Sequence, residues 1–274
     1  MLKFLFAAIL FSASLGFAKA DDKIFMVPHL AIYDLQLESA SDKSGISGLF
    51  GRMAFEFNGS VCEGYTTRFR FVTRINMADA PTRLTDQQTT SFESSNGKEF
   101  RFVSKTIVDQ EVTNETDGVA KIVNDEMIVN LKKPKEKEIK LKSAAFPTVQ
   151  TQELIRQAKA GRHFYRTTVF DGSDNADNLT EVTVVVGDKE NAKADSETKL
   201  MGKMGQEPYW PVTISYFNDD ENQDGLPVYR TSFLLYENGF TRNLVMDYGN
   251  FSVHGKLETF KLFDNKSPNE NCKE

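Results

Sequence analysis

The 274-residue chain has two cysteines, three histidines, one tryptophan and no surplus of positive charge. Two Cys cannot build a disulfide-rich scaffold, a Cys₃ or Cys₄ metal cluster or most iron–sulfur centres. The formal charge is −6; without residues 1–20, which carry Lys3 and Lys19 and no acid, 31 cationic and 39 acidic side chains remain, a net charge of −8. Such a balance argues against a nucleic-acid partner, which needs a basic groove to displace counterions. The nucleophile elbow, the phosphate-binding loop, the dinucleotide glycine fingerprint and the His-Glu-x-x-His zinc motif are all missing, so no motif announces a reaction and no cofactor is expected. Pro and Gly are modest at 8 and 17, and 40% of residues are apolar, enough to bury a sizeable core.

The one long apolar stretch is at the start. MLKFLFAAILFSASLGFAKA sets Lys3 before the run Phe4–Phe11, loosens at Ser12, Ser14 and Gly16, and ends on Ala18-Lys19-Ala20. This pattern predicts a secretory signal peptide over residues 1–20 with cleavage after Ala20. Its unbroken apolarity is about eight residues where a transmembrane helix needs roughly 20. No Cys follows the cleavage point as a lipid acceptor, and no later segment approaches spanning length. The expected product is a soluble periplasmic protein, residues 21–274, forming one domain. In that oxidising space Cys62 and Cys272 can be read as a disulfide, which would close a loop of roughly 210 residues for on the order of 5 kcal/mol. Two unrelated buried thiols remain the alternative, and a redox pair would lack the Cys-x-x-Cys spacing.

From residue 30 onward apolar and polar residues alternate with period 2, as at Tyr33/Leu35/Leu37, Met53/Phe55/Phe57, Phe69/Phe71, Phe100/Phe102 and Met127/Val129/Leu131. The alternation continues through Ile139/Leu141, Val182/Val184/Val186, Val212/Ile214/Tyr216, Phe233/Leu235, Leu244/Met246 and Phe260/Leu262. Six Asn-Gly or Asp-Gly pairs, at 58–59, 96–97, 117–118, 171–172, 224–225 and 238–239, read as hairpin punctuation. The expectation is an all-β, mostly antiparallel barrel or large curved sheet. One segment breaks the rhythm. After Phe146-Pro147, Thr148 can cap a helix through Ala160 whose Leu154, Ile155 and Ala158 share a face, with Gly161 as its C-terminal stop. Its expected role is to plug the barrel or cover a sheet face.

Several patterns invite chemistry and have plainer readings. Asp220-x-Asn222-x-Asp224-Gly225 resembles the start of a calcium loop, but Thr231 stands where the bidentate Glu belongs, so a polar hairpin tip is the reading and no metal site is assigned. His29, His163 and His254 are scattered. The run Lys132–Lys142 carries six Lys against two Glu; it can meet anionic lipid, but Lys with one Pro is also how an edge strand avoids pairing with a neighbour, and that reading is preferred. Eighteen Phe after residue 20 can line a ligand cavity or fill a core, and Trp210 can line a mouth or anchor that core.

Taken together, Gly51-Arg52-Met53 through Asn58-Gly59-Ser60-Val61-Cys62-Glu63-Gly64-Tyr65, then Arg70–Thr73, Phe146–Gly161, Val169–Ser173 and Trp210–Phe217 resemble the EipB-like cell-envelope-integrity family of alphaproteobacterial periplasmic proteins, long catalogued as a domain of unknown function. Most specific is Cys-Glu-Gly-Tyr with a C-terminal Cys. The resemblance implies a broad spiral β-barrel with strands in the low teens, similar to periplasmic lipoprotein carriers, stapled by Cys62–Cys272. It implies a role in envelope integrity rather than a reaction, and a periplasmic tetratricopeptide-repeat protein as partner. The Lys-rich stretch matches no feature of the family. The resulting expectation is a non-enzymatic binding or scaffold module, with a lipid or lipoprotein carrier as alternative and a hydrolase assembled from distant residues below both.

Overall fold

A computed structural model describes residues 24–173, 176–217 and 225–263. The first arm contains β1 (His29–Ala40), β2 (Ile46–Ser60), β3 (Gly64–Met77), β4 (Arg83–Glu93), β5 (Glu99–Val108), β6 (Glu111–Val123), β7 (Glu126–Lys133) and β8 (Lys137–Lys142). Helix α1 (Pro147–Lys159) follows, then β9 (Phe164–Val169), β10 (Thr180–Val186), the short helix α2 (Ser196–Met201), β11 (Tyr209–Phe217), β12 (Tyr229–Tyr236), β13 (Thr241–Asp247) and β14 (Phe251–Leu262).

Each strand within an arm pairs antiparallel with its sequence neighbour, and β14 pairs with β1 to join the arms into one fourteen-stranded sheet, in the order 8-7-6-5-4-3-2-1-14-13-12-11-10-9. One rung of a complete ring is missing, between β8 and β9. There the chain leaves the sheet to make α1, and a single parallel bridge, Ala145 to Val169, spans the gap. The result is a spiral rather than a closed barrel. The Lys-rich run lies here: β8 is an edge strand paired only with β7, reached through the cis bond Lys133–Pro134, which bears out the edge-strand reading.

A ring of this size is too wide for wall side chains alone to fill. Its interior is occupied by three apolar clusters. One gathers Leu154, Ile155 and Ala158 of α1 against Val182, Val184, Trp210 and Leu235; a second lies under β1, β13 and β14; a third is the Phe100–Phe102–Phe146–Phe170 group. Trp210 is buried within the first, as a core anchor, while one side of its ring meets Lys189 Nζ at 4.4 Å.

Helix α1 lies across one rim, from the β4–β5 turn at its start to the β12–β13 turn at its end, where Lys159 and Glu237 are 2.8 Å apart. Leu154, Ile155 and Ala158 form its buried face and Gly161 follows it at φ +72°, as the sequence predicts. The cap differs. Phe146 is the N-cap and offers no side-chain bond, Pro147 opens the first turn, and Thr148 is buried one position further in. Proline's fixed φ starts the helix two residues earlier than a Thr148 cap would, and the N–H groups of Thr148 and Val149 instead donate to Glu93 at the end of β4, at 2.8 and 3.0 Å.

Punctuation by Gly is also corrected in part. Asn96-Gly97 and Asn238-Gly239 lie in turns with Gly at positive φ, but Asp117-Gly118 lies inside β6. There a Cβ on Gly118 would come within 2.8 Å of the Phe102 ring and of Leu131, so the glycine serves packing, not turning. Two tight turns instead use Asp109-Gln110 and Asn124-Asp125, all four at positive φ. Residues 220–224 of the calcium-like stretch, residues 1–20 and Cys272 lie outside the described residues.

Candidate functional site

Between α1 and the wall lies a cavity of about 510 Å³, within the range of sites that take a small ligand. Period-2 alternation aims its walls. From β2, β11 and β12 come Phe55, Phe57, Ile214, Phe233 and Leu235, an apolar side continued by Leu154 of the helix. The rings of Phe55 and Phe57 stack with centroids 6.5 Å apart and planes 6° off parallel.

The opposite side is mixed: Phe69 of β3 and Phe100 and Phe102 of β5 line it, and polar groups stand beside them. Thr67 of β3, Gln87, Thr89 and Ser91 of β4, and Ser104 of β5 present uncharged hydrogen-bonding groups. Thr67 pairs with Ser91 across the ladder, and the hydroxyls of Thr89 and Ser104 meet at 3.2 Å. Gln150 and Thr151 of α1 extend this face, although Thr151 spends its hydroxyl proton on the Pro147 carbonyl, 2.9 Å away. Asp171, whose carboxylate accepts the Ser173 N–H at 2.9 Å, and Tyr216, whose hydroxyl burial pushes up to about 12, complete the ionisable lining with His29.

His29 is the singular residue of this site. It is 4% exposed, and its ring sits among Phe55, Phe57, Phe240 and Phe260, with the Phe240 edge contact at 5.1 Å. Burial in that aromatic box holds its pKa below the ordinary imidazole value, opposed only by the bond to Val27. Its Nδ1 lies 2.7 Å from the Val27 carbonyl oxygen, so that nitrogen carries the proton and Nε2 presents a lone pair. The other two histidines are elsewhere: His163 bonds the Val186 carbonyl beside a second hollow of about 350 Å³ at the end of α1, and His254 faces Asn243. Among the described residues no group of three or more His, Cys, Asp or Glu could hold a metal ion.

Cys62 sits in the turn between β2 and β3. The polar wall of β4 is the functional feature that sequence reasoning missed, because neither of its faces alternates apolar with polar. Its β-branched composition, three Thr in Thr85–Thr90, was the available signal.

The sequence profile of the EipB-like family matches residues 20–264. The chain belongs to that family. It is 54% identical over 257 residues to the cell envelope integrity protein EipB of Brucella abortus (strain 2308), covering 94% of this chain and 91% of that protein. A crystal structure from Brucella abortus, described as a beta-barrel-like protein of a domain of unknown function, superposes with a TM-score of 0.86 at 55% identity, covering 88% of this chain and all of the other. The all-β spiral is thus shared by this EipB-like chain and an experimentally determined relative. Among the described residues no helix is long and apolar enough to cross a membrane.

Proposed function

We propose that this chain maintains the integrity of the cell envelope from the periplasm, and that it does so by binding rather than by catalysis, holding the aliphatic part of a ligand in the cavity under α1. The observation that carries this reading is the cavity's lining, aromatic and aliphatic on the β2, β11 and β12 side, with a row of uncharged polar groups from β4 set beside the Phe rings of β3 and β5 on the other. A space filled only for stability has no reason to keep an open polar wall beside it. The name of the Brucella abortus relative supports the envelope role, and the apolar leader at residues 1–20 supports export. The carrier alternative uses the same cavity. A tetratricopeptide-repeat partner rests on the family resemblance alone.

A Cys62–Cys272 disulfide belongs to the same proposal. Leu262 at the end of β14 pairs with His29, and His29 with Phe57, five residues before Cys62. Two strand spacings are about 10 Å, and five extended residues about 17 Å. The nine-residue step from Phe263 to Cys272 reaches up to about 30 Å, enough to close that path. Thiol titration of unfolded, unreduced protein is expected to find no free thiol; two would overturn the pairing.

The test of function is complementation. A deletion strain is expected to be sensitive to detergents and cell-wall antibiotics, and wild-type protein to restore resistance. Phe233→Trp, which fills the cavity from its apolar wall, is expected to express at wild-type levels and fail to restore it. Full restoration by a cavity-blocked variant that no longer binds the neutral fluorophore N-phenyl-1-naphthylamine would overturn the cavity as the seat of function.

A further inference from the structure

The walls of the cavity also say what kind of head group can enter. Among the described residues that line it there is no Lys and no Arg; the one permanent charge is the carboxylate of Asp171. An anionic ligand would shed its hydration against a wall with no counter-ion and with a like charge in it, which is costly in a low-dielectric interior. Phosphate and carboxylate sites are built from Arg, Lys or clustered backbone N–H groups. The two free N–H groups at the start of α1, which could have served an anion, are already taken by Glu93.

What the cavity offers instead is hydrogen bonding without charge. Gln87, Thr89, Ser91 and Ser104 can each donate and accept. His29 adds a directed acceptor. Its Nε2 has no hydrogen-bond partner among the described residues, yet it is not sealed in protein: the one side-chain polar atom there that is both sealed and unpartnered is the Tyr165 hydroxyl. The ring borders the cavity, so that open lone pair faces cavity space. A ligand O–H or N–H entering the cavity can donate to it.

We propose that the occupant is a neutral amphiphile: one aliphatic chain against the Phe55–Leu235 wall, joined to an uncharged hydroxyl- or amide-bearing group that donates a hydrogen bond to His29 and spans the β4 wall. Free fatty acids and anionic phospholipids are excluded. This rests on the cavity being a ligand site, and the experiment separates the two claims.

Exported wild-type protein, purified from the periplasm at pH 7.5, is loaded with N-phenyl-1-naphthylamine, a neutral apolar fluorophore, and the fluorophore is displaced with three ligands of one chain length: 1-monolauroylglycerol, methyl laurate and laurate. Monolauroylglycerol is expected to displace saturably. Laurate is expected to be at least about tenfold weaker, and methyl laurate, which has no donor, about fivefold weaker. His29→Leu is expected to erase the advantage over methyl laurate, read as the ratio of the two displacement affinities measured on the variant itself. Should that variant not fold, Gln87→Leu is expected to narrow the same gap, and the three-ligand ranking on wild type needs no variant. Laurate binding as tightly as monolauroylglycerol, or equal affinities for the ester with and without hydroxyls, would overturn the neutral-donor assignment while leaving the cavity reading intact. Fluorophore binding that no lauroyl compound displaces would overturn the assignment as well. Failure of the fluorophore itself to bind saturably would overturn the cavity reading beneath it.

Discussion

The two helices of this spiral are held by one device used in opposite directions. At α1 the wall supplies the carboxylate: Glu93 of β4, 3% exposed, accepts the N–H groups of Thr148 and Val149. At α2 the helix supplies it: Glu197 accepts the N–H of Leu257 at 2.7 Å and of Asn243 at 3.1 Å. Those donors are free because the strands are irregular there. The β1–β14 register slips between Ile32 and Tyr33, and Asn243 sits at φ +52°. The difference lies in charge. Glu197 shares Arg242 with Asp195, at 3.4 and 2.8 Å, and the same guanidinium donates to the Tyr236 hydroxyl at 2.8 Å. Glu93 has no ion pair among the described residues, and burial raises its pKa against the pull of its two backbone bonds. A buried carboxylate can be kept by a counter-ion, as at Glu197, or by hydrogen bonds without one, as at Glu93, where Thr148 adds its side chain to the two backbone N–H groups and burial still raises the pKa.

The largest expected effect comes from breaking the paired end. Arg242→Met leaves Glu197 buried without its cation and is expected to cost about 3 kcal/mol or more, read as a shift in denaturant midpoint. A loss below about 1 kcal/mol would mean the backbone bonds to Glu197 suffice. Next, Glu93→Ala strands two N–H groups at the start of α1; about 1–3 kcal/mol is expected, with faster hydrogen exchange at Thr148 and Val149 as the local signature. Gly118→Ala, which touches neither helix, is expected to cost a similar about 1–3 kcal/mol by driving a methyl into the Phe102 ring. It calibrates the two charge effects against a purely steric one.

Titration sharpens the contrast further. Glu93 binds its proton more tightly folded than unfolded, so its contribution is full below the ordinary carboxylate range and is lost as pH rises through the raised value. Asp86 is opposite: the Arg70 guanidinium holds its carboxyl low, and its contribution fades as pH falls. Glu93→Gln is therefore expected to remove a decline in stability with rising pH just above the ordinary carboxylate range, seen as the difference between wild-type and variant stability curves. An unchanged difference across that window would refute the assignment. The smallest effect belongs to the exposed pair, where Arg70→Ala is expected to cost under about 1 kcal/mol.

Much of the wall was legible in the sequence because a strand with one buried face writes its burial in every second residue. Tyr33/Leu35 in β1, Val182/Val184/Val186 in β10 and Met127/Val129/Leu131 in β7 all read correctly, as did the helix and the edge-strand Lys run. Strands β4, β6 and β9 were not read. The inner face of β4 is Gln, Thr and Ser, and that of β6 includes Thr116, Gly118 and Ala120, so neither shows a clear apolar stripe. Turn signals failed where tertiary packing claimed the glycine, as at Gly118, and where Asn124-Asp125 adopted positive φ without one. The site was the least legible part. The cap of α1 joins residues 55 apart, and His29 gains its meaning only from rings at Phe55, Phe57, Phe240 and Phe260, which no local pattern connects.

The missing rung between β8 and β9 falls between strands consecutive in sequence, which places all the non-local cost of the sheet elsewhere. Every other adjacent pair except one joins strands consecutive in sequence, the longest link being the 22 residues with α2 between β10 and β11. The exception is β14 on β1, the last strand on the first. Loop closure over nearly the whole chain is spent in that one pairing. Until β14 has emerged and docked, the two arms are separate sheets, each with an unpaired hydrogen-bonding edge at β1 or β13. As the chain emerges from its N-terminus, β1 therefore waits longest for its partner, exposed to any passing strand. The seam that completes the fold is also the place where the chain is most open to misassembly.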